Sequence, residues 1–335
     1  MNKTDGSASS ADDSSFKGVN SAVRVYGNAT VTLKDVTVNA TASNATGVFA
    51  YDGGTVNISD STVNVTGGGA GGIQVAGGGT LYASNLIVKS ASKAAIRSDR
   101  GGGIMVVDGG TYTSTGSNGC PAIYSTADIT VKNATLVSEN SRAVIIEGKN
   151  SVKLTDCDLT GNDQSTKTGS VKANVLLYQS ASGDASEGTS VFTMTGGSIT
   201  SKSGAMFYCT NTSSVINLTD AELNLSTDGS LLIVSEGRWG KDGSNGGDVE
   251  FNAKNQKLTG SITVDNISTL ELNMTSSSYT GAINESGAAG KVSVSLDSNS
   301  TWTLDGNSYI TSFDGDLSNV NTNGYHLYVN GTLAK

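Results

Sequence analysis

The sequence predicts an all-β chain, wound as a right-handed parallel β-helix of about eleven or twelve turns with three short strands in each. Two observations lead to it. A short unit recurs along the chain, and its second strand ends each time on Asp, Asn or Gly: Asp35, Asp60, Asn85, Gly109, Asn133, Asp156, then Gly196 and Asp220 after one interruption. The first five steps are 25, 25, 24, 24 and 23 residues. These three residue types tolerate a left-handed backbone, so one tight bend is being made at the same place in each repeat. The second observation is strand-like alternation of apolar residues on either side of that bend.

Each unit opens with a first strand that begins with a small residue and an aliphatic. Examples are AVRVY from Ala22, GVFAY from Gly47, GIQVA from Gly72, AIRSD from Ala95 and AIYST from Ala122. The series continues with AVIIE from Ala143, NVLLY from Asn174, AMFYC from Ala205 and SLLIV from Ser230. Second and fourth positions are mostly aliphatic or small and third and fifth vary, so Val23, Val48, Ile73, Ile96, Ile123 and Val144 are the expected core column. The second strand follows (TVTLKD, TVNISD, DITVKN, SVKLTD), then the bend, then a short third strand such as TLV or ELNL. Thr, Ser, Asn and Gly crowd the turns, and helix propensity is low throughout.

Residues 1–20 read as a linker leading into a single β-helix domain over 21–335. Its rungs are regular over 21–258 and looser over 259–335, where the bend ladder is expected to disappear. Three longer excursions interrupt the stack: Gly161–Ala173, Gln179–Ser190 and Ser235–Asp248. Loops of a solenoid carry function more often than its stacked strands do.

A formal net charge of −9 argues against nucleic acid, whose affinity rests on Lys and Arg at phosphates. It suits a solvated extracellular surface. No apolar run is long enough for a membrane-spanning helix, and the first residues lack the apolar centre of a signal peptide, so an export signal and an anchor are expected outside these residues. Cys120, Cys157 and Cys209 fall at different places in their repeats and suggest neither a disulfide framework nor a metal site. Asn-x-Ser/Thr triplets, including those at Asn28, Asn57, Asn133 and Asn266, follow from composition and matter only in a glycosylating pathway.

Over Ser21–Leu258 the repeats resemble β-helix proteins of the pectin-lyase-like superfamily. The stretch Leu296–Leu333 resembles the terminal rungs of autotransporter passengers and related bacterial surface adhesins. Trp302, Ser308, Phe313 with Gly315, and Leu327, Val329 and Gly331 carry that second resemblance. It implies adhesion, aggregation or matrix contact without naming a ligand. The superfamily also contains enzymes that cleave acidic polysaccharides. Its hydrolases carry NTD, DD and GHG motifs, a set this sequence lacks, and its single histidine, His326, lies in the final strand. Asp156 and Asp158 flank a bend that already accounts for Asp156. A lyase would need an Arg or Lys base beside a carboxylate-held Ca²⁺, and Arg97, Asp99 and Arg100 come nearest. No carboxylate cluster forms around them, and the expectation is a non-enzymatic protein.

The outward column of the first strands reads Arg24, Tyr26, Phe49, Tyr51, Gln74, Arg97, Asp99, Tyr124, Glu147, Tyr178 and Phe207. Aromatic rings interleaved with hydrogen-bonding groups suit sugar recognition, although the same rings would also shield a sheet under long loops. From this column and the Gly-rich loop Ser235–Asp248 we expect a ligand site built from Tyr178, Phe207, Trp239, Arg238, Tyr51, Arg97, Asp99 and Tyr124. Its ligands would be glycans or other cell-surface molecules. Asp242, Asn245 and Asp248 are weak Ca²⁺ candidates, and no other cofactor is expected. Open strand edges at the ends of the rod also make self-association an expectation.

Overall fold

A computed structural model describes residues 1–166, 170–287 and 290–335. The first strands form a ten-stranded parallel sheet from Val23–Val25 to Ser261–Val264, each strand hydrogen-bonded to the equivalent strand of the next turn. Second and third strands together make a 19-stranded sheet, because the bend between them is tight enough for the ladder to pass through it. A four-stranded sheet from Lys257–Thr259 to Val320–Asn321 continues the stack of third strands. At the far end Leu327–Val329 is closed by Thr332–Leu333, the antiparallel partner that covers the last edge. The result is a parallel β-helix solenoid.

Every predicted bend is left-handed. Asp35, Asp60, Asn85, Asn133, Asp156 and Asp220 have φ between 49° and 54°, and Gly109 and Gly196 have φ of 72° and 66°. The ladder does not disappear after residue 258 as the sequence suggested. It continues through Asn255 and Ser276, both at φ 49°, and Ser276 escaped notice because serine rarely marks such a bend. The bend side chains also tie neighbouring turns together: Asn85 Nδ2 donates to Asp60 Oδ1 at 3.3 Å and Asn133 Nδ2 to Asp108 Oδ1 at 2.9 Å. Gly109 is glycine for a related reason, since a Cβ there would lie 2.5 Å from Asn85 Oδ1.

One continuous core fills the rod. Val48, Ile73, Ile96, Ile123 and Val144 stack in register and are wholly buried, while Val23, at the open edge of the sheet, is only partly covered. Each fully buried aliphatic of this kind contributes about 1.5–3 kcal/mol. Further along the core turns aromatic. Phe192, Phe207 and Phe251 pack in series at 5.8 Å between ring centres, and Tyr279 stacks on Trp302 at 5.8 Å. The corner after the third strand is held differently, by buried serines that donate to backbone carbonyls. Ser90 bonds Lys93 O, Ser114 bonds Cys120 O and Ser201 bonds Ser203 O. All three cysteines are buried, and burial pushes the Cys209 thiol up to about 12.

The first twenty residues are not a linker. Asn2–Lys3 adds a parallel strand beside Thr37–Ala40, and Ala11–Lys17 is a short helix. Ser10 caps it by accepting from Asp13 N, Asp12 and Asp13 sit in its first turn, and Gly18 ends it at φ 64°. A Cβ on Gly18 would also strike the Phe49 ring at 2.5 Å. This helix lies on the outer face of the ten-stranded sheet. Ser15 O accepts from Gln74 Nε2 at 2.7 Å, Lys17 O from Arg24 Nε at 2.7 Å, and the Arg100 guanidinium sits 3.9 Å over the Phe16 ring. Phe49 and Gln74 are wholly buried beneath it.

Two outcomes follow from this packing. Replacing Asn133 by Val should cost roughly 1–2 kcal/mol in a denaturant titration, because a β-branched residue is forced into the left-handed region; Asn133→Gly should cost less. Equal losses in the two variants would mean that the Asn133–Asp108 bond, not backbone strain, dominates. The second outcome concerns Lys93, whose Nζ donates to Ser15 Oγ at 2.6 Å. Burial, and then the charge of Arg97, lowers its pKa to about 8. The folded chain therefore sheds this proton before the unfolded chain does. Between pH 8 and the ordinary lysine value of 10.5, stability of the wild type should rise relative to Lys93→Met. A pH-independent difference between the two midpoints would refute this.

Candidate functional site

The outer face of the ten-stranded sheet carries a cavity of about 130 Å³ midway along the rod. Its floor comes from adjacent first strands. Tyr124, Ile145, Leu176 and Tyr208 occupy the same position in four successive strands, and Tyr178 beside Thr210 occupies the next outward position in two of them. Segments that precede these strands (Asn118, Gly119, Arg142, Ser165 and Ser170) wall one edge of the sheet. Arg238 and Trp239, from the loop that follows Ser230–Val234, wall the other. Ile145, Leu176, Tyr178 and Tyr208 form an apolar cluster of their own, separate from the core of the rod.

Trp239 is half-buried and packs against Tyr178 with 6.1 Å between ring centres. The Arg238 guanidinium lies 4.2 Å over the Trp239 ring. Asn245 fixes the loop: it is buried, and its Nδ2 donates to the carbonyls of Gly237 at 2.7 Å and Trp239 at 2.8 Å. Arg142 is held across the floor. It lies 3.1 Å from Asp163 and donates to Ser170 Oγ at 3.0 Å and Val171 O at 2.7 Å. Burial lowers its pKa below the ordinary arginine value; Asp163 opposes that shift, and the positive charge of Arg238 adds to it.

Beside Tyr178, in the same outward row of the sheet, lies Glu147, 1% exposed. Its carboxylate accepts hydrogen bonds from Tyr124 and Ser180, from Tyr178 Oη at 3.0 Å and from Ser182 Oγ at 3.2 Å. Burial, with the neighbouring negative charge of Glu147 contributing, pushes both phenols above the ordinary tyrosine value, so both stay protonated. The loop Gln179–Ser190 thus folds back over Glu147, and its Asp184 pairs with Arg100. Tyr208 Oη donates in turn to Glu236 O at 3.1 Å.

The structure therefore brings together Tyr124, Tyr178, Trp239 and Arg238 and separates the other expected site residues from them. Phe207 points into the core and is wholly buried, because the inward column of this strand falls one residue later than its sequence suggests. Ala205 pairs with Ala173, Phe207 with Val175, and Tyr208 takes the outward place. Arg97 and Asp99 are spent on each other, in a 2.8 Å ion pair whose side chains are 12% and 0% exposed. The Arg97 guanidinium lies 4.4 Å over the Tyr124 ring, and Gln74 Nε2 also donates to Asp99. With Arg100 engaged by Asp184, the nearest sequence match to a lyase site is used up in internal contacts. Tyr51 sits near the start of the rod, beside Arg24 and Phe49.

The Ca²⁺ candidates also disperse. Asp242 is exposed, Asn245 holds the loop's own carbonyls, and Asp248 accepts from Thr269 and from Ser213 Oγ at 3.4 Å. Among the described residues no three His, Cys, Asp or Glu side chains gather where they could hold a metal. Part of the excursion Gly161–Ala173, residues 167–169, lies outside the described residues. Tyr208, Arg142 and Asn118 were missed as site residues. Tyr208 was lost to the register slip, and the other two belong to connecting segments that strand periodicity does not reach.

Comparison of the chain with protein-family models, with curated proteins and with solved structures found no match.

Replacing Glu147 by Gln sets an amide donor against hydroxyls that already donate. It should cost about 1–3 kcal/mol in unfolding free energy. Tyr124→Phe and Tyr178→Phe should each become less harmful in that background, since the acceptor they served has been weakened. Full additivity of the double variants would rule out a shared network.

Proposed function

We propose that this chain is an extracellular, non-enzymatic carbohydrate-binding protein of a cell surface, with adhesion as its role and the cavity beside Trp239 as its binding site. One observation carries the reading: an aromatic floor and an aromatic wall meet at polar groups whose protons are already directed elsewhere. Tyr124 and Tyr178 give theirs to Glu147 and Tyr208 gives its own to Glu236 O, so what these three cavity-lining phenols have left to offer a ligand is acceptor lone pairs. Sugar hydroxyls are the matching donors, and a pyranose face stacks on a ring such as Trp239.

Such a site binds weakly on its own. Stacking one ring adds about 0.5–1.5 kcal/mol beyond area burial, and display of many copies on a surface would supply the remaining avidity. The adhesin-like order of residues at Leu296–Leu333 is compatible with that role. Trp302 and Ser308 are buried in the terminal turns, where they serve the stack.

A glycan array followed by calorimetry tests the proposal. Trp239→Ala should weaken binding about tenfold while moving the unfolding free energy by less than about 1 kcal/mol, because the ring is half exposed. Tyr178→Ala is a poorer probe, since that side chain is 8% exposed and bonded to Glu147. An array without signal would leave the rod a structural stalk. Early melting of Trp239→Ala would assign the ring to packing alone.

A further inference from the structure

Among the described residues, those lining the cavity include two arginines and no carboxylate, in a chain whose net charge is −9. The two cations differ in what they have left to give. Arg142 is committed: Asp163, Ser170 and Val171 engage its guanidinium, and Asp163 balances its charge. Arg238 makes no ion pair and no hydrogen bond among the described residues. Its one close partner is the Trp239 ring, which fixes the plane of the guanidinium and leaves its N–H edge open.

We propose that the sugar taken by this cavity carries a singly charged oxyanion, a ring carboxylate or a sulfate ester, received by the N–H edge of Arg238 while its hydroxyls donate to the tyrosine oxygens. This rests on the carbohydrate reading above and adds the chemical class of the sugar. Three features agree on it. A stacked guanidinium is already held in one plane, so little side-chain freedom is lost when it grips two oxygens of an anion. Arg142 and Arg238 line the same cavity with like charge, and an anion between them relieves a repulsion that Asp163 offsets from one side only. The acceptors of the floor and the donor of the wall are chemically distinct, which orients the ring with hydroxyls toward the sheet and the acidic group toward the loop.

Two matched pairs of oligosaccharides test it by titration calorimetry: an oligogalacturonate with its neutral methyl ester, and a sulfated galactan with its desulfated form. In at least one pair the anionic member should bind about tenfold more tightly or better than its neutral partner. That preference should shrink as salt is raised from about 0.05 M to about 0.5 M. The pair that responds identifies the oxyanion. Arg238→Gln should bring the preference toward unity, and Arg238→Lys should keep part of it, since the charge remains but the planar fork is lost. Arg238 is exposed, and its variants should melt with the wild type.

Equal binding of anionic and neutral members in both pairs overturns the inference and leaves the carbohydrate reading standing. A preference that survives intact in Arg238→Gln overturns the assignment to this residue. Failure of every member of both pairs, and of the array, removes the carbohydrate reading and this inference with it.

Discussion

The whole rod depends on one backbone event, the left-handed bend between second and third strands. Parallel strands in register require each turn to change direction at the same height, and only a residue at positive φ makes that change within one position. Asn and Asp do this at modest strain and use their side chains to reach the turn below, as Asn85 does with Asp60. Gly takes over where the preceding turn's side chain already fills the space. At Gly196 a Cβ would meet Asp156 Oδ1 at 2.2 Å. The alternation of Asp, Asn and Gly along the ladder is therefore partly a packing pattern between turns.

A parallel stack also makes register the quantity on which side-chain placement hangs, since a shift of one residue exchanges the faces. That is why the sequence was read correctly as far as Tyr178 and misread at Ala205. In seven of the nine first strands the expected second position falls on the inward column. At AMFYC two apolar residues compete for the inward place. Phe207 takes it because Phe192 and Phe251 lie beside it in the core, a contact between turns that a single strand cannot announce. The next strand carries a shift between Ser230 and Leu232 and repeats the ambiguity. The helix Ala11–Lys17 was hidden differently. Its cap residues Ser10 and Gly18 are legible in retrospect, but seven residues do not make a stable helix unaided, and this one is held by Gln74, Arg24, Lys93 and Arg100.

The position of the cavity follows from what covers the rest of the sheet. Toward the start, the helix and the Arg97–Asp99 pair occupy the outward column. Toward the end, the excursions are over and the loops are short. Across the strands of Tyr124 to Tyr208 connecting segments rise on both edges of a face that is apolar at its centre. A solenoid admits such insertions because each turn is supported by its two neighbours, so a long loop in one turn leaves the stack intact. Tyr124 and Tyr178 were legible because they sit on strands with period two whose register the sequence shows. The arginines were not all so, because Arg142 owes its place to Asp163 and the segment around Ser170.

Glu147 links the packing to the chemistry of the site. A carboxylate 1% exposed with no cation bonded to it among the described residues must be satisfied by neutral donors, and the fold supplies four hydroxyls. Two of them belong to tyrosines that line the cavity. Meeting the needs of a buried carboxylate thus decides which way those phenol protons point. On the opposite wall Asn245 does the same work with the reverse polarity, drawing the Gly237 and Trp239 carbonyls inward. What remains on that wall is the indole face and the Arg238 donors. A site with acceptors on its floor and donors on its rim is in this way a consequence of internal hydrogen bonds that any stable version of these loops would have to make.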